Sequence, residues 1–267
     1  MKKAFLPLMA IGLVLGLVGC AQATSPSTDP NAPQNPTISA LVGTWTASNS
    51  SSNTSGGTTT TNVFSDTLNV AADGSYTLFQ TQASTPTGGS TTTSYSAKKG
   101  QLSFSANQAT TTITDLCYSS SPITTANAVW TPESQTTSST ATTILSGGKL
   151  YGYLSWPVFT AQGSTSGLVG TWQEIMSSTA GSTTMYGKMV YAFAADGTLT
   201  SQQYSDTTTA FTAAPVYSIT ATYTAQNGIL TTTAPGQAAS SGTYKIVGSY
   251  LIIGDATSVD AYAYTKQ

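Results

Sequence analysis

The chain has 267 residues, 39% of them apolar and only 7% charged, against about 25% charged in an ordinary soluble domain. It has no His and no Arg. That excludes Ser-His and Cys-His nucleophile pairs, the commonest metal ligand and the bidentate guanidinium clamp for phosphate. A formal charge of −2 also offers no basic face to nucleic acid. A carboxylate pair or a Ser-Lys dyad is the catalytic chemistry left. The only two Glu are Glu133 and Glu174, and several Asp fall in turns, so no enzyme activity, catalytic residue, metal or cofactor is expected. Ser and Thr make up about a third of the chain, so solubility rests on hydroxyls.

Lys2 and Lys3 precede an apolar run from Phe5 to Val18, too short to span a bilayer stably. The run ends in Leu17-Val18-Gly19-Cys20, which resembles the lipobox of bacterial lipoprotein signals. That resemblance implies a signal peptide over 1–19, cleavage before Cys20, and diacylglycerol on its sulfur with a palmitate-type chain on the new N-terminus. Two or three acyl chains, at roughly 0.8 kcal/mol per buried CH₂, make a lasting membrane anchor. Ala21 rather than Asp follows, so the expected location is the cell envelope, with the outer membrane favoured. Losing Lys2 and Lys3 takes the formal charge from −2 to −4. Residues 20–37, rich in Pro, Ser, Asn and Gln, are expected to be a disordered tether. With Cys20 lipidated, Cys117 has no partner within the chain and reads as a buried structural thiol.

The remaining sequence contains one module twice. Leu41-Val42-Gly43-Thr44-Trp45 recurs as Leu168-Val169-Gly170-Thr171-Trp172, at an offset of 127. Ala71-Ala72-Asp73-Gly74 recurs as Ala194-Ala195-Asp196-Gly197, at an offset of 123. Tyr95 to Leu102 is echoed by Tyr223 to Leu230 at 128, and Ile144 to Leu150 by Ile246 to Leu251. Ordered landmarks at near-constant spacing indicate tandem duplication. The expected domains are 38–160 and 168–267, joined by a Gly/Ser/Thr linker over 161–167. The landmarks give the first copy an insertion of 27 residues near 105–143, which contains Cys117, Tyr118, Trp130 and Glu133.

Both copies carry β-type alternation, with Thr, Val, Tyr and Phe between Gly, Asn, Asp and Ser clusters. At each Asp-Gly pair the alternation favours a three-residue hairpin loop. It sets Phe193 opposite Leu199 and Ala192 opposite Thr200, and in the first copy Val70 opposite Tyr76 and Leu68 opposite Leu78. Such a loop is a type I turn closed by a G1 bulge, so Gly74 and Gly197 take positive φ and Asp73 and Asp196 form the turns. Ser48 to Thr61 and Ala83 to Ser94 read as Ser/Thr-rich loops, and Lys98-Lys99 as flanking a turn at Gly100.

Leu-Val-Gly-Thr-Trp, the Ala-Asp-Gly turn and Gly242-Thr243-Tyr244-Lys245-Ile246-Val247-Gly248-Ser249-Tyr250-Leu251-Ile252-Ile253 together resemble the small lipocalin-like modules of bacterial lipoproteins. The resemblance implies an all-β fold of two tandem antiparallel barrels of about eight strands each. It makes Trp45 and Trp172 the residues that close each barrel base. The Thr-Asp-Tyr motif of larger lipocalins, and the Arg they stack on that Trp, are absent. Two functions are expected. One is a membrane-anchored binder of a neutral small molecule or lipid, because the chain offers no Arg or His to pair a buried anion. The other is a structural or adhesive surface protein without a ligand. A cavity of about 300 Å³ or more favours the first.

Overall fold

The structure, a computed structural model, describes residues 32–55, 57–152, 158–254, 260 and 263–267. Cys20 and the signal region lie outside the described residues. A short helix α1 (Ile38–Leu41) leads into the meander β1 (Gly43–Ser55), β2 (Thr58–Val70), β3 (Ser75–Pro86), β4 (Thr92–Ser105), β5 (Gln108–Ser119) and β6 (Thr131–Thr142). A hairpin of β7 (Ile144–Ser146) and β8 (Lys149–Tyr151) follows. The chain continues through β9 (Val158–Ser166), β10 (Val169–Ala180), β11 (Thr183–Phe193), β12 (Thr198–Asp206), β13 (Tyr217–Gln226), β14 (Ile229–Thr233), β15 (Ser240–Val247) and β16 (Tyr250–Ile253). It ends with β17 (Tyr264–Lys266).

Strands β9 to β16 form a closed antiparallel barrel. Each of β10 to β15 pairs with the next, and β9 bonds β10 on one edge and β16 on the other. Closure leaves no ladder edge open around the ring, which is how barrels avoid edge-to-edge aggregation. Residues 161–166, expected as linker, are therefore barrel strand, and only Gly167-Leu168 turn the chain into β10. Ser and Thr disguised the strand, because hydroxyl residues read as loop when their neighbours are unknown. The supposed loops at 48–61 and 83–94 are likewise mostly hairpin strands of β1–β2 and β3–β4. Their β-branched Thr suit a pleated surface and pair across it. Hydroxyls meet at 3.1 Å in Ser52–Thr61, 2.9 Å in Thr110–Thr140 and 2.8 Å in Thr179–Thr184.

The last strand of each sequence copy belongs to the other copy's sheet. β9 follows the first copy's terminal hairpin, yet it sets Ala161 opposite Trp172 and Phe159 opposite Leu251. β17, the chain's C-terminal strand, returns to set Lys266 opposite Trp45 and Tyr264 opposite Leu150. The two registers correspond residue for residue, since Trp45, Leu150, Tyr264 and Lys266 occupy the places of Trp172, Leu251, Phe159 and Ala161. Where the N-terminal strands adjoin the barrel within one continuous 17-stranded sheet, Ile144, Tyr151, Val158, Val247, Ile252 and Ala263 form a buried apolar cluster.

Both Asp-Gly hairpins have the three-residue loop: Phe193 faces Leu199, Ala192 faces Thr200, Val70 faces Tyr76 and Leu68 faces Leu78. Gly74 and Gly197 have φ of +82° and +85°. Asp73 Oδ1 accepts from Ser75 N–H and Oγ, and Asp196 Oδ1 from Thr198 N–H. These bonds hold both carboxyls below their ordinary range, the Ser75 hydroxyl being the larger influence on Asp73 and the Thr198 N–H on Asp196. Gly197→Ala is expected to cost about 1 kcal/mol from left-handed strain. Gly74→Ala should cost more, because a Cβ there would lie 2.7 Å from the Leu102 carbonyl oxygen. Urea unfolding midpoints check the order, and an unchanged Gly74→Ala midpoint would contradict it.

The third landmark is out of structural register. Leu102 N–H donates to Gly74 O at 2.9 Å, and Tyr223 N–H to Gly197 O at 2.7 Å, so Leu102 corresponds to Tyr223. The true offset there is 121 rather than 128, and the insertion shrinks from 27 to 20 residues. Gly100 accordingly lies at a β-bulge inside β4 rather than in a turn. A Cβ on Gly100 would collide with Thr112 O at 1.8 Å, which explains the glycine. The insertion lengthens β5 and β6 beyond β14 and β15, and the outer edge of β6 bonds β10, Thr137–Thr140 running opposite Ala180–Ser177. Part of the expected tether is placed too. Gln34 exchanges two backbone bonds with Leu145 at 2.9 and 3.1 Å, because the outer edge of β7 leaves those groups in need of partners.

Candidate functional site

Inward-facing residues differ between the two sheets. In the N-terminal sheet Leu41, Trp45, Leu68, Leu78 and Leu150 are buried to 0–1% exposure and pack as one cluster with Val70, Tyr76 and Leu102. Trp45 Nε1–H donates to Leu41 O at 2.7 Å. The same bond, Trp172 Nε1–H to Leu168 O at 2.8 Å, holds Trp172 in the core of the β9–β16 barrel beside Phe159, Phe193 and Leu251. A buried indole needs its one donor satisfied, and the carbonyl four residues back supplies the acceptor in both copies. Lys266 also places Nζ 5.7 Å from the Trp45 ring centroid, a cation over that Trp where no Arg exists. In the second copy the facing residue is Ala161.

Away from Trp172 the β9–β16 barrel opens into a cavity of about 550 Å³, with Tyr191, Phe193, Leu199, Ser201, Gln203 and Tyr217 among its walls. These alternate along β11, β12 and β13, as inward positions of a barrel must. Phe159 and Tyr191 meet with ring centroids 4.8 Å apart, and Phe193 and Tyr223 edge to face at 5.0 Å. Tyr223 Oη–H donates to Ala194 O at 2.8 Å, tying that wall to the Asp-Gly turn. Burial raises the Tyr191 hydroxyl above its ordinary range, against a hydrogen bond with Ser201 that lowers it. It is therefore a neutral hydrogen-bonding group.

Glu174 escaped the sequence reading and is the most unusual group in the barrel. It is two residues beyond Trp172 on β10, hence on the same inward face, and 3% exposed. Val158 N–H donates to its carboxyl, and among the described residues Oε2 has no hydrogen-bond partner. Burial, opposed only by that one bond, pushes its pKa up from 4.5 to about 7. The sequence signal was available: a charged residue at an inward position of the Trp-x-Glu alternation.

A second recess, about 680 Å³, lies between the β7–β8 and β15–β16 hairpins, with Lys149, Tyr151, Lys245 and Asp260 on its walls. Asp260 accepts from Tyr151 Oη–H at 2.7 Å and Lys245 Nζ at 3.2 Å, and pairs with Lys149 at 3.5 Å. Burial alone would raise the Asp260 carboxyl, but Tyr151, Lys245 and Lys149 hold it below the ordinary range. The Tyr151 hydroxyl is driven up by burial and by Asp260. These groups bind one another across the junction of the copies.

Cys117 is buried opposite Ala97 in the first sheet, away from the cavity. Trp130 lies under the Lys99 ammonium, 4.9 Å from its ring, and Lys99 pairs with Asp115 at 3.5 Å, so these insertion residues brace β4 against β5 and β6. No protein family, curated protein or solved structure matches the chain.

Proposed function

We propose that this protein is a membrane-anchored cell-envelope lipoprotein of two tandem lipocalin-like barrels, one of which binds a neutral apolar small molecule. The observation that carries the binding reading is the cavity of about 550 Å³ in the β9–β16 barrel, with its aromatic and hydroxyl walls. Its size lies in the range of small-molecule sites, and mixed apolar and polar walls can hold a hydrophobic body while orienting one end. The paired Trp bonds, the corresponding strand registers and the Lys266 contact on Trp45 support the two-barrel reading. In that reading the tightly packed N-terminal sheet is a brace, and the β9–β16 barrel is the receptor.

At roughly 0.3 kcal/mol per non-hydrogen atom, a ligand of some twenty such atoms binds with Kd on the order of tens of micromolar. Titrating intrinsic fluorescence with neutral amphiphiles should reach that range. Ala221→Phe, which puts a ring into the cavity wall, should abolish the response while leaving the thermal transition in place. Silence of the native protein toward every amphiphile would favour the structural or adhesive reading. Anchoring is tested at Cys20. Cys20→Ala should lose diacylglycerol labelling and move the protein to the soluble fraction, whereas retention in membranes would refute the anchor.

A further inference from the structure

We infer that the β9–β16 cavity takes an amphiphilic amine, its apolar body between Tyr191, Phe193 and Tyr217 and its basic nitrogen on Glu174 Oε2. The inference rests on the cavity being a ligand site and replaces the neutral ligand of that reading with a cationic one. Register places Glu174 in the cavity's own layer: Glu174 stands opposite Met189, Met189 opposite Gln203, and Gln203 opposite Tyr217. Glu174 is not itself a wall residue, but Gln203 and Tyr217 are, and the wall hydroxyl of Tyr191 feels its charge, so the carboxyl adjoins the space.

No described residue bonds the second oxygen. Glutamine would accept from Val158 N–H equally well without burying an ionisable group, yet Oε2 is held out of water without a partner. Among the described residues, the groups facing it bring no positive charge. β11 contributes Met189 and the Tyr191 phenol, β12 contributes Ser201 and Gln203, and β13 the Tyr217 phenol. β9 contributes Phe159 and a backbone N–H, and β6 meets β10 through residues 137–140, all Ser or Thr. Lys188 is on the outer face of β11, its ammonium 4.0 Å from the Tyr204 ring centroid and 4.7 Å from that of Phe211. An ammonium supplied by the ligand is both the missing donor and the missing counter-charge. Aromatic faces nearby favour a cation over a neutral donor. Anions remain excluded.

The test compares n-octylamine, n-octanol and n-octanoate by calorimetry against the full protein at moderate salt, at pH 5.5 and pH 8. At pH 8 octylamine should bind about tenfold or more tighter than octanol. That advantage should shrink by up to tenfold per pH unit below about 7, as the carboxyl takes up a proton, and vanish at pH 5.5. Glu174→Gln should bind octanol like the native protein and show no amine preference at pH 8. Thermal melting confirms that the variant is folded, and the native pH dependence carries the test if it is not. Equal binding of amine and alcohol, or an amine preference that survives in Glu174→Gln, overturns the amine assignment while the cavity reading stands. Tightest binding of octanoate overturns it as well. No binding of any of the three overturns both.

Discussion

A fragment of residues 158–253 should fold by itself as a β domain, whereas residues 168–267, the second copy as the repeat defines it, should not. The first fragment contains all eight strands of the closed barrel. The second lacks β9 and with it Phe159, which is fully buried against Leu251 and stacks on Tyr191. Removing a buried Phe side chain alone costs about 3–5 kcal/mol, a large share of the 5–15 kcal/mol that holds a typical domain together. The open edges of β10 and β16 would add an aggregation hazard. The 158–253 fragment should give a β-type far-UV spectrum and a cooperative thermal transition, with some loss for the uncovered Val158, Val247 and Ile252. A cooperative transition in 168–267 and none in 158–253 would contradict the exchange of last strands.

What the sequence revealed follows the range of the forces involved. The hairpin register at Asp73-Gly74 and Asp196-Gly197 was legible because a one-residue slip would turn Phe193, Leu199, Leu68 and Leu78 out of the core. Trp45 and Trp172 were legible as a repeated pair, and the indole-to-carbonyl bond they share is local. The exchange of β9 and β17 was not legible. A last strand of either copy presents the same alternation to either sheet, and only the chain's path between sheets decides which edge it joins. The Tyr95–Leu102 echo failed for a related reason. Period-two patterns match themselves at many shifts, and only the Leu102 and Tyr223 backbone bonds fixed the register. Glu174 was not legible from composition, which shows only that the chain has two Glu and that several Asp fall in turns. Its neighbour two residues away, Trp172, shows which face it shares.

Glu174 should make the barrel less stable as pH rises, the reverse of a salt-bridged carboxylate. Its folded pKa, about 7, stands above its ordinary 4.5, so between those values the native state holds more proton than the unfolded chain. The stabilisation is complete below about pH 4.5 and is lost as pH rises through 7. At 1.36 kcal/mol per unit the whole effect is on the order of 3 kcal/mol, or roughly 12–24 °C in Tm for a barrel of about 100 residues. Glu174→Gln removes the titrating group and keeps an acceptor for Val158 N–H, but it buries an amide N–H pair, at a cost of about 1–3 kcal/mol if unsatisfied. The two stability curves should therefore cross: Glu174 is the better residue near pH 5, and Gln equals or exceeds it near pH 8. Asp73, Asp196 and Asp260 are held below the ordinary carboxyl range, and Tyr191 above the ordinary phenol range, so none of the four titrates in this interval. Urea unfolding of both proteins across pH 4.5 to 8.5 isolates the difference. Parallel curves would mean that the carboxyl reaches water in the folded barrel. A crossing that disappears when octylamine is added would show that the ligand supplies the charge the fold leaves out.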